Sequence, residues 1–188
     1  MLAQSWGQQS VASAAITGED LLRYPEDGSK YEVFEGILVQ EAMTSGAHGA
    51  VCQRLGGELY VYERANGFIH AVLQNTLFDF TPSGATGKTI LAPDLAILRP
   101  GVLPAKTVTK DIPLIVVEVV SPSQTLAEIR IKTHFYRSVG IDEVWVIDPN
   151  TQVIEVWHVQ GQTTLSPTQT LISVLLPGFA VAAAYLLT

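Results

Sequence analysis

The sequence predicts a mixed α/β (α+β) domain with a central β-sheet flanked by helices. Three observations carry this expectation. Strand-like runs alternate with amphipathic helical stretches along the chain. One run, IPLIVVEVVSP, is apolar almost throughout, which marks a strand covered on both faces at the centre of a sheet. Fifteen glycines and ten prolines in 188 residues supply many turns and argue against a helical bundle.

The elements follow in order. The start, MLAQSWGQQSVASAAI, is rich in Gln, Ser and Ala and reads as a loose tail over 1–16, ahead of a single domain over 17–188. In TGEDLLRY, Thr17 has the character of an N-cap, with Glu19 and Asp20 in the first turn, where carboxylates suit the helix dipole; Pro25 ends this helix. KYEVFEGILVQEA holds two short strands split at Glu35-Gly36, a hairpin signal. Val51, Leu55, Leu59 and Tyr62 recur at helical spacing until Asn66-Gly67 stops the helix. FIHAVLQNTLFDF reads as one strand and TPSGATGK as a loop. TILAPDLAILRP reads as another strand, with a bulge or strand entry at Pro93. SQTLAEIRIKTHFYRSVG is a helix with Leu126, Ile129, Phe135 and Val139 inward, Ser123 or Thr125 as N-cap and Gly140 at its C-terminal end. EVWVIDP and TQVIEVWHV are two further strands, and LLPGFAVAAAYLLT docks on the sheet. A helix linking the 112–121 and 143–148 strands implies that these two lie parallel.

Composition excludes several classes. The apolar share, 47%, is too high for a disordered chain. The longest apolar run, Val174 to Leu187, is broken by Pro177-Gly178 and falls short of the roughly 20 residues that span a bilayer. No basic residue precedes the small apolar stretch at the start, so it does not read as a signal peptide. The lone Cys52 excludes an internal disulfide framework. A cytoplasmic protein is the expectation. Net charge is −7, with 4 basic and 10 acidic residues over 1–80 and 7 basic and 8 acidic over 81–188. Strong non-specific nucleic-acid binding is therefore disfavoured, and any such binding falls to the second half.

Two carboxylates stand in conspicuous places. Glu118 lies inside the most apolar strand, where an ionised carboxyl is costly without a cation or donor; it equally reads as a side chain passing the strand end into solvent. Asp94 follows Pro93 at the start of an apolar strand, and Pro-Asp is also a common turn pair. On adjacent strands the two could converge on a hard cation such as Mg²⁺, which takes one or two protein carboxylates with waters and phosphate oxygens. Lys132, on the next helix, then reaches the same pocket; alone it would read as an exposed helix lysine. Softer candidates surround them. Glu32 or Glu35, flanking the hairpin turn, offers a third acid. His48 offers a base, a phosphate contact, or a capping or packing role. Glu128 pairs with Lys132 at i,i+4, and Cys52 reads as packing. His70, His134 and His158 are too scattered for a metal cluster, and Trp145 and Trp157 read as core or dimer surface.

In this order the motifs resemble a family. PD (Pro93-Asp94), EVVSPS (Glu118 to Ser123) and a lysine-bearing helix running into KTHFYRSVGIDEVWVIDP look like the Uma-two family of restriction-endonuclease-like proteins, which is assigned to the PD-(D/E)XK nuclease-like superfamily. KYEVFEGILVQE is similar to the family's opening hairpin, AHGAV to its His-Gly helix start, and LLPGF to its C-terminal Leu-Pro-Gly. The resemblance runs from about Leu21 to Phe179. It implies a restriction-endonuclease-like αβββαβ core, Mg²⁺ or Mn²⁺ on Asp94 and Glu118, and hydrolysis of phosphodiester bonds in nucleic acid, with DNA the expected substrate. The superfamily's lysine normally follows the second acid by two residues. That place is Val120 here, and the role passes to Lys132, with Tyr136 one turn further on the same face. A homodimer is expected, since many nucleases cut both strands as dimers. The rivals are a catalytically silent nuclease-fold module that binds nucleic acid or protein, and a metal-dependent hydrolase of another phosphate ester.

Overall fold

In the computed structural model, residues 16–24, 29–41, 45–67, 71–122 and 124–188 are described. All but the last residue of the expected tail, Pro25, His70 and Ser123 lie outside these. A single-turn helix α1 (Gly18–Leu21) is closed by a capping box. The Asp20 N–H donates to the Thr17 hydroxyl, and the Asp20 carboxylate accepts from the Thr17 N–H at 2.9 Å. The hairpin β1 (Lys30–Phe34) and β2 (Ile37–Glu41) turns at Glu35 and Gly36, with φ of 50° and 83°. Positive φ at both central residues matches the twist of paired strands. Helix α2 (Gly46–Ala65) starts earlier than the apolar period suggests. Ser45 caps it by accepting from the His48 N–H, so His48 lies in its first turn rather than before it.

Both long strands read from the sequence divide. FIHAVLQNTLFDF yields β3 (Val72–Gln74) and β4 (Phe78–Asp79), separated at Asn75, whose φ is 45°. TILAPDLAILRP yields β5 (Ile90–Leu91) and β6 (Leu95–Ile97), separated at Pro93-Asp94. In each case the halves enter different sheets. Proline cannot donate to a ladder, so Pro93 marks where the chain leaves one sheet for the other. β7 (Ile115–Val119), α3 (Leu126–Ser138), β8 (Glu143–Asp148) and β9 (Val153–His158) follow the expected order. Thr125 is the α3 N-cap and Gly140, at φ 95°, follows its C-cap. The polar strand β10 (Gly161–Leu165) carried no signal. β11 (Thr170–Ile172), β12 (Ala180–Ala182) and α4 (Ala183–Leu187) complete the chain.

The main sheet has the order β10-β9-β8-β7-β6-β3, with β7 and β8 parallel and linked by α3. A second sheet has the order β2-β1-β5-β4, and β11 pairs with β12. One face of the main sheet packs Val51, Leu55 and Leu59 of α2 and the C-terminal segment against Ile115, Val117 and Trp145, with Trp145 stacked on Phe179 at 5.8 Å. The other face packs α3 against Ala96, Val116, Val144 and Val146. No described helix is long and apolar enough to cross a membrane.

The inward side of α3 differs from the expectation. Its fully buried residues are Ile129, Lys132, Thr133 and Tyr136, while Leu126, Phe135 and Val139 are only partly buried. The stripe keeps the i, i+3, i+4, i+7 helical period, but half of it is polar. A lysine and a tyrosine hydroxyl can be buried there only if something meets them.

Candidate functional site

Leu95 of β6 faces Val117 of β7. Asp94 immediately precedes β6 and so lies near the β7 residues that follow Val117, with Glu118 next in sequence; Val116, two residues before Glu118, meets α3. The hairpin brings a second group of charges. Lys30 and Glu41 are cross-strand partners, and Glu32 shares their face by the two-residue alternation. Lys132 and Tyr136 enter from α3.

These groups form one network. Lys132 Nζ lies 2.5 Å from Glu32 Oε2 and 2.5 Å from Glu41 Oε1. Lys30 Nζ lies 3.3 Å from Glu41, 3.5 Å from Glu32 and 3.6 Å from Asp94 Oδ1. Asp94 Oδ2 accepts from the Val119 N–H at 2.7 Å and sits 3.0 Å from His48 Nε2. Glu32 Oε1 accepts from the Ala92 N–H at 2.7 Å, Glu118 Oε1 from the Tyr136 hydroxyl at 2.6 Å, and Glu41 Oε1 from Gln124 Nε2 at 3.0 Å. The side chains of Glu32, Asp94 and Lys132 are at most 5% exposed, whereas Lys30 and Glu41 are 17% and 14% exposed. Solvent therefore reaches the cluster at Lys30 and Glu41, on the hairpin side.

Burial and charge pull these groups in different directions. Burial alone would raise the Asp94 carboxyl, but the Lys30 charge and the donors His48 and Val119 hold it below the usual range. Glu41 is held low in the same way by Lys30 and Lys132. Glu118 goes the other way. Burial pushes it up to about 7; Lys132 and Lys30 pull it down, while Asp94 and Glu32 push it higher. Lys132 stays charged despite burial because Glu32, Glu41 and Glu118 surround it, and the same balance holds Lys30 above its ordinary value.

Of the residues singled out in the sequence, Asp94, Glu118, Lys132, Glu32, His48 and Tyr136 come together. Glu35 does not: it is exposed in the hairpin turn, and its side chain takes no part in the network. Tyr136, one turn beyond Lys132, donates its hydroxyl to Glu118. Glu128 caps α3 through Thr125 rather than pairing with Lys132. Sequence reasoning missed Lys30, Glu41 and Gln124. The Glu35-Gly36 turn fixes the hairpin register, and counting back from it pairs Lys30 with Glu41. That signal was present; the pairing of Gln124 had none.

The donor set can be tested against a divalent cation. Four carboxyls (Glu32, Glu41, Asp94 and Glu118) face two ammonium groups (Lys30 and Lys132), which leaves a formal −2 when all are ionised. Hard carboxylate oxygens are the donors that Mg²⁺ and Mn²⁺ take, and one such ion balances the charge. The residues present fit the ion.

A family model described as Uma2, putative restriction endonuclease, matches residues 19–184. The chain belongs to this family. Among solved structures, the Uma2 chain is similar to a protein from Anabaena variabilis ATCC 29413 described as a putative nuclease belonging to DUF820. The TM-score is 0.77 at 19% identity, over 92% of this chain and 97% of that one. This likeness shows the fold, a nuclease-like mixed sheet. No curated protein matches the chain.

Proposed function

We propose that this Uma2 chain is a divalent-metal-dependent endonuclease that hydrolyses phosphodiester bonds in DNA. The observation that supports the reading is the electrostatic coupling of Asp94, Glu118 and the buried ammonium of Lys132 in one cluster where carboxyls outnumber ammonium groups. Such a cluster repels a phosphate unless a cation intervenes. Asp94 and Glu118 would hold Mg²⁺ or Mn²⁺. When bound, the ion supplies a water of lowered pKa and charge stabilisation at the phosphate.

The chain's own residues do the rest. The Val119 N–H and His48 orient Asp94, and the Tyr136 hydroxyl orients Glu118. Lys132, held by Glu32 and Glu41, offers an ammonium to charge developing on the scissile phosphate. Lys30, at the open side, faces arriving phosphate. A homodimer would supply two such sites, one for each strand of a duplex. Binding is salt-sensitive, because phosphate contacts release counterions.

The test is incubation of purified protein with duplex DNA, single-stranded DNA and RNA, each with Mg²⁺, Mn²⁺ or chelator. Cleavage is expected with metal and is lost in Asp94→Ala, Glu118→Ala and Lys132→Ala. The absence of cleavage of every substrate overturns the reading in favour of a silent binding module. Cleavage that survives in the Asp94 and Glu118 variants assigns it to a contaminant.

A further inference from the structure

The nuclease reading uses Asp94 and leaves a thiol beside it without a role. His48 and Cys52 stand four residues apart on α2, so both project from one helix face, and that face meets the strand end bearing Asp94. Cys52 Sγ lies 3.7 Å from His48 Nδ1, and His48 Nε2 lies 3.0 Å from Asp94 Oδ2. One donor atom from each of the three residues falls within 4.8 Å of the other two.

We propose that His48, Cys52 and Asp94 form a second metal site, selective for a borderline-soft ion such as Zn²⁺, which shares Asp94 with the Mg²⁺ site and weakens binding there. This goes beyond the nuclease reading and needs from it only the role of Asp94.

The donor chemistry sets the selectivity. A thiolate and an imidazole are poor ligands for Mg²⁺, which takes oxygen, whereas Zn²⁺ takes sulfur, nitrogen and carboxylate oxygen in a tetrahedron. Bonds of about 2.0–2.3 Å put tetrahedral donors about 3.5 Å apart. The three donors, within 4.8 Å of one another, must draw in by about 1 Å to reach this spacing, with the imidazole turning so that one ring nitrogen faces the ion. The scaffold is already fixed: Ser45 caps the helix turn carrying His48, and the Val119 N–H holds Asp94. His48 and Asp94 are buried, while Cys52 is half-buried. Three protein ligands leave the fourth position to water.

The protons balance without any oxidant or reductant. With the neutral tautomer that carries its proton on Nε2, the metal-free ring donates to Asp94 and its Nδ1 accepts from the thiol. Zn²⁺ takes Sγ, Nε2 and a carboxylate oxygen. The thiol proton leaves to solvent and the ring proton moves to Nδ1. A dication at this point withdraws charge from Asp94 and repels a second dication nearby.

The experiment uses the full chain stripped of metal, titrated with Co²⁺ as a spectroscopic probe and with Zn²⁺ by calorimetry. One ion per chain is expected, with a near-ultraviolet thiolate-to-cobalt charge-transfer band. Cys52→Ser, which barely changes volume, abolishes the band and lowers Zn²⁺ affinity by at least about tenfold, the loss typical of removing even an outer partner of a metal. His48→Ala acts alike, with circular dichroism reporting whether it folds. Bound Mn²⁺, followed by electron paramagnetic resonance, is released by Zn²⁺ from the wild type and retained by Cys52→Ser. No charge-transfer band in the wild type, or equal Zn²⁺ affinity in Cys52→Ser, overturns the proposal. Zn²⁺ binding without any Mn²⁺ binding supports this site and counts against the Asp94–Glu118 site instead.

Discussion

Glu118 is the acid whose environment works against its ionised form, and replacing it measures that cost. Burial lifts its carboxyl from an ordinary 4.5 to about 7. Below pH 4.5 the group is protonated in both the folded and the unfolded chain, so it has no effect on stability. Between 4.5 and about 7 the unfolded chain releases a proton that the folded chain keeps, and unfolding gains about 1.4 kcal/mol per pH unit. Above about 7 the penalty is constant, near 3 kcal/mol for roughly 2.5 units at that slope. Glu118→Gln removes the charge and keeps an oxygen to accept from the Tyr136 hydroxyl. The variant is therefore expected to match the wild type at pH 4 and to exceed it by about 3 kcal/mol at pH 8, or about 6–12 °C in Tm for a chain of this size. Urea melts at the two pH values measure the difference. Losses from Glu41 and Asp94, whose carboxyls are held low, occur in both proteins at acid pH and cancel. Saturating Mn²⁺ narrows the gap, since only the wild type gains from binding; metal at 100 times its Kd contributes about 2.7 kcal/mol. A gap of equal size at pH 4 and pH 8, or a variant less stable at pH 8, refutes the reasoning.

Other substitutions probe the same architecture. Lys132→Met leaves the buried Glu32 without its closest cation and is expected to cost about 3 kcal/mol, the lower end for breaking a buried pair because Lys30 remains nearby; chemical denaturation at pH 7 checks this, and the cost shrinks as acid protonates the abandoned carboxyls. Tyr136→Phe removes a buried donor to Glu118 and should cost about 1–3 kcal/mol at pH 8, while moving the onset of Mn²⁺ binding to higher pH in calorimetric titrations. Leu55→Ala, in the core between α2 and the main sheet, is expected to cost about 2–5 kcal/mol in the same melts, with Mn²⁺ affinity unchanged. Gly36→Ala forces a Cβ into a turn at φ 83° and should cost about 1–2 kcal/mol.

The sequence carried much of this architecture and part of the site. The apolar run around Glu118 located the sheet centre, because a strand covered on both faces cannot alternate. The hairpin turn and both α3 termini were legible, because caps and turns use local chemistry. The division of two strands between two sheets was not. A run of β-branched and aromatic residues has the same pattern whether its halves share a sheet or separate, and only Pro93 hinted at a break. The inner side of α3 was misjudged for a related reason. Apolar periodicity selects Phe135 and Val139, whereas the buried stripe includes Lys132 and Tyr136 because Glu32, Glu41 and Glu118 meet them there. Those acids arrive from the hairpin and from β7, and no local rule joins them to the helix. Asp94 and Glu118 stood out in advance as acids in apolar strand contexts; Lys30 and Glu41 required counting the hairpin register.

The ion pairs that close the pocket have a consequence for how the chain acquires its shape. Lys132 meets Glu32 across 100 residues and Glu41 across 91. The entropy of closing such loops rises only slowly with length, but contacts this distant delay folding. The main sheet can assemble through the neighbouring β7-α3-β8-β9 segment before the hairpin arrives, and a lysine awaiting its acids gains nothing from early burial. Docking of the hairpin is thus expected late, so removing its charges should quicken unfolding more than it slows folding. Newly made chains would pass through a state with a formed core and an unfinished charge cluster, and completion of the site would trail compactness.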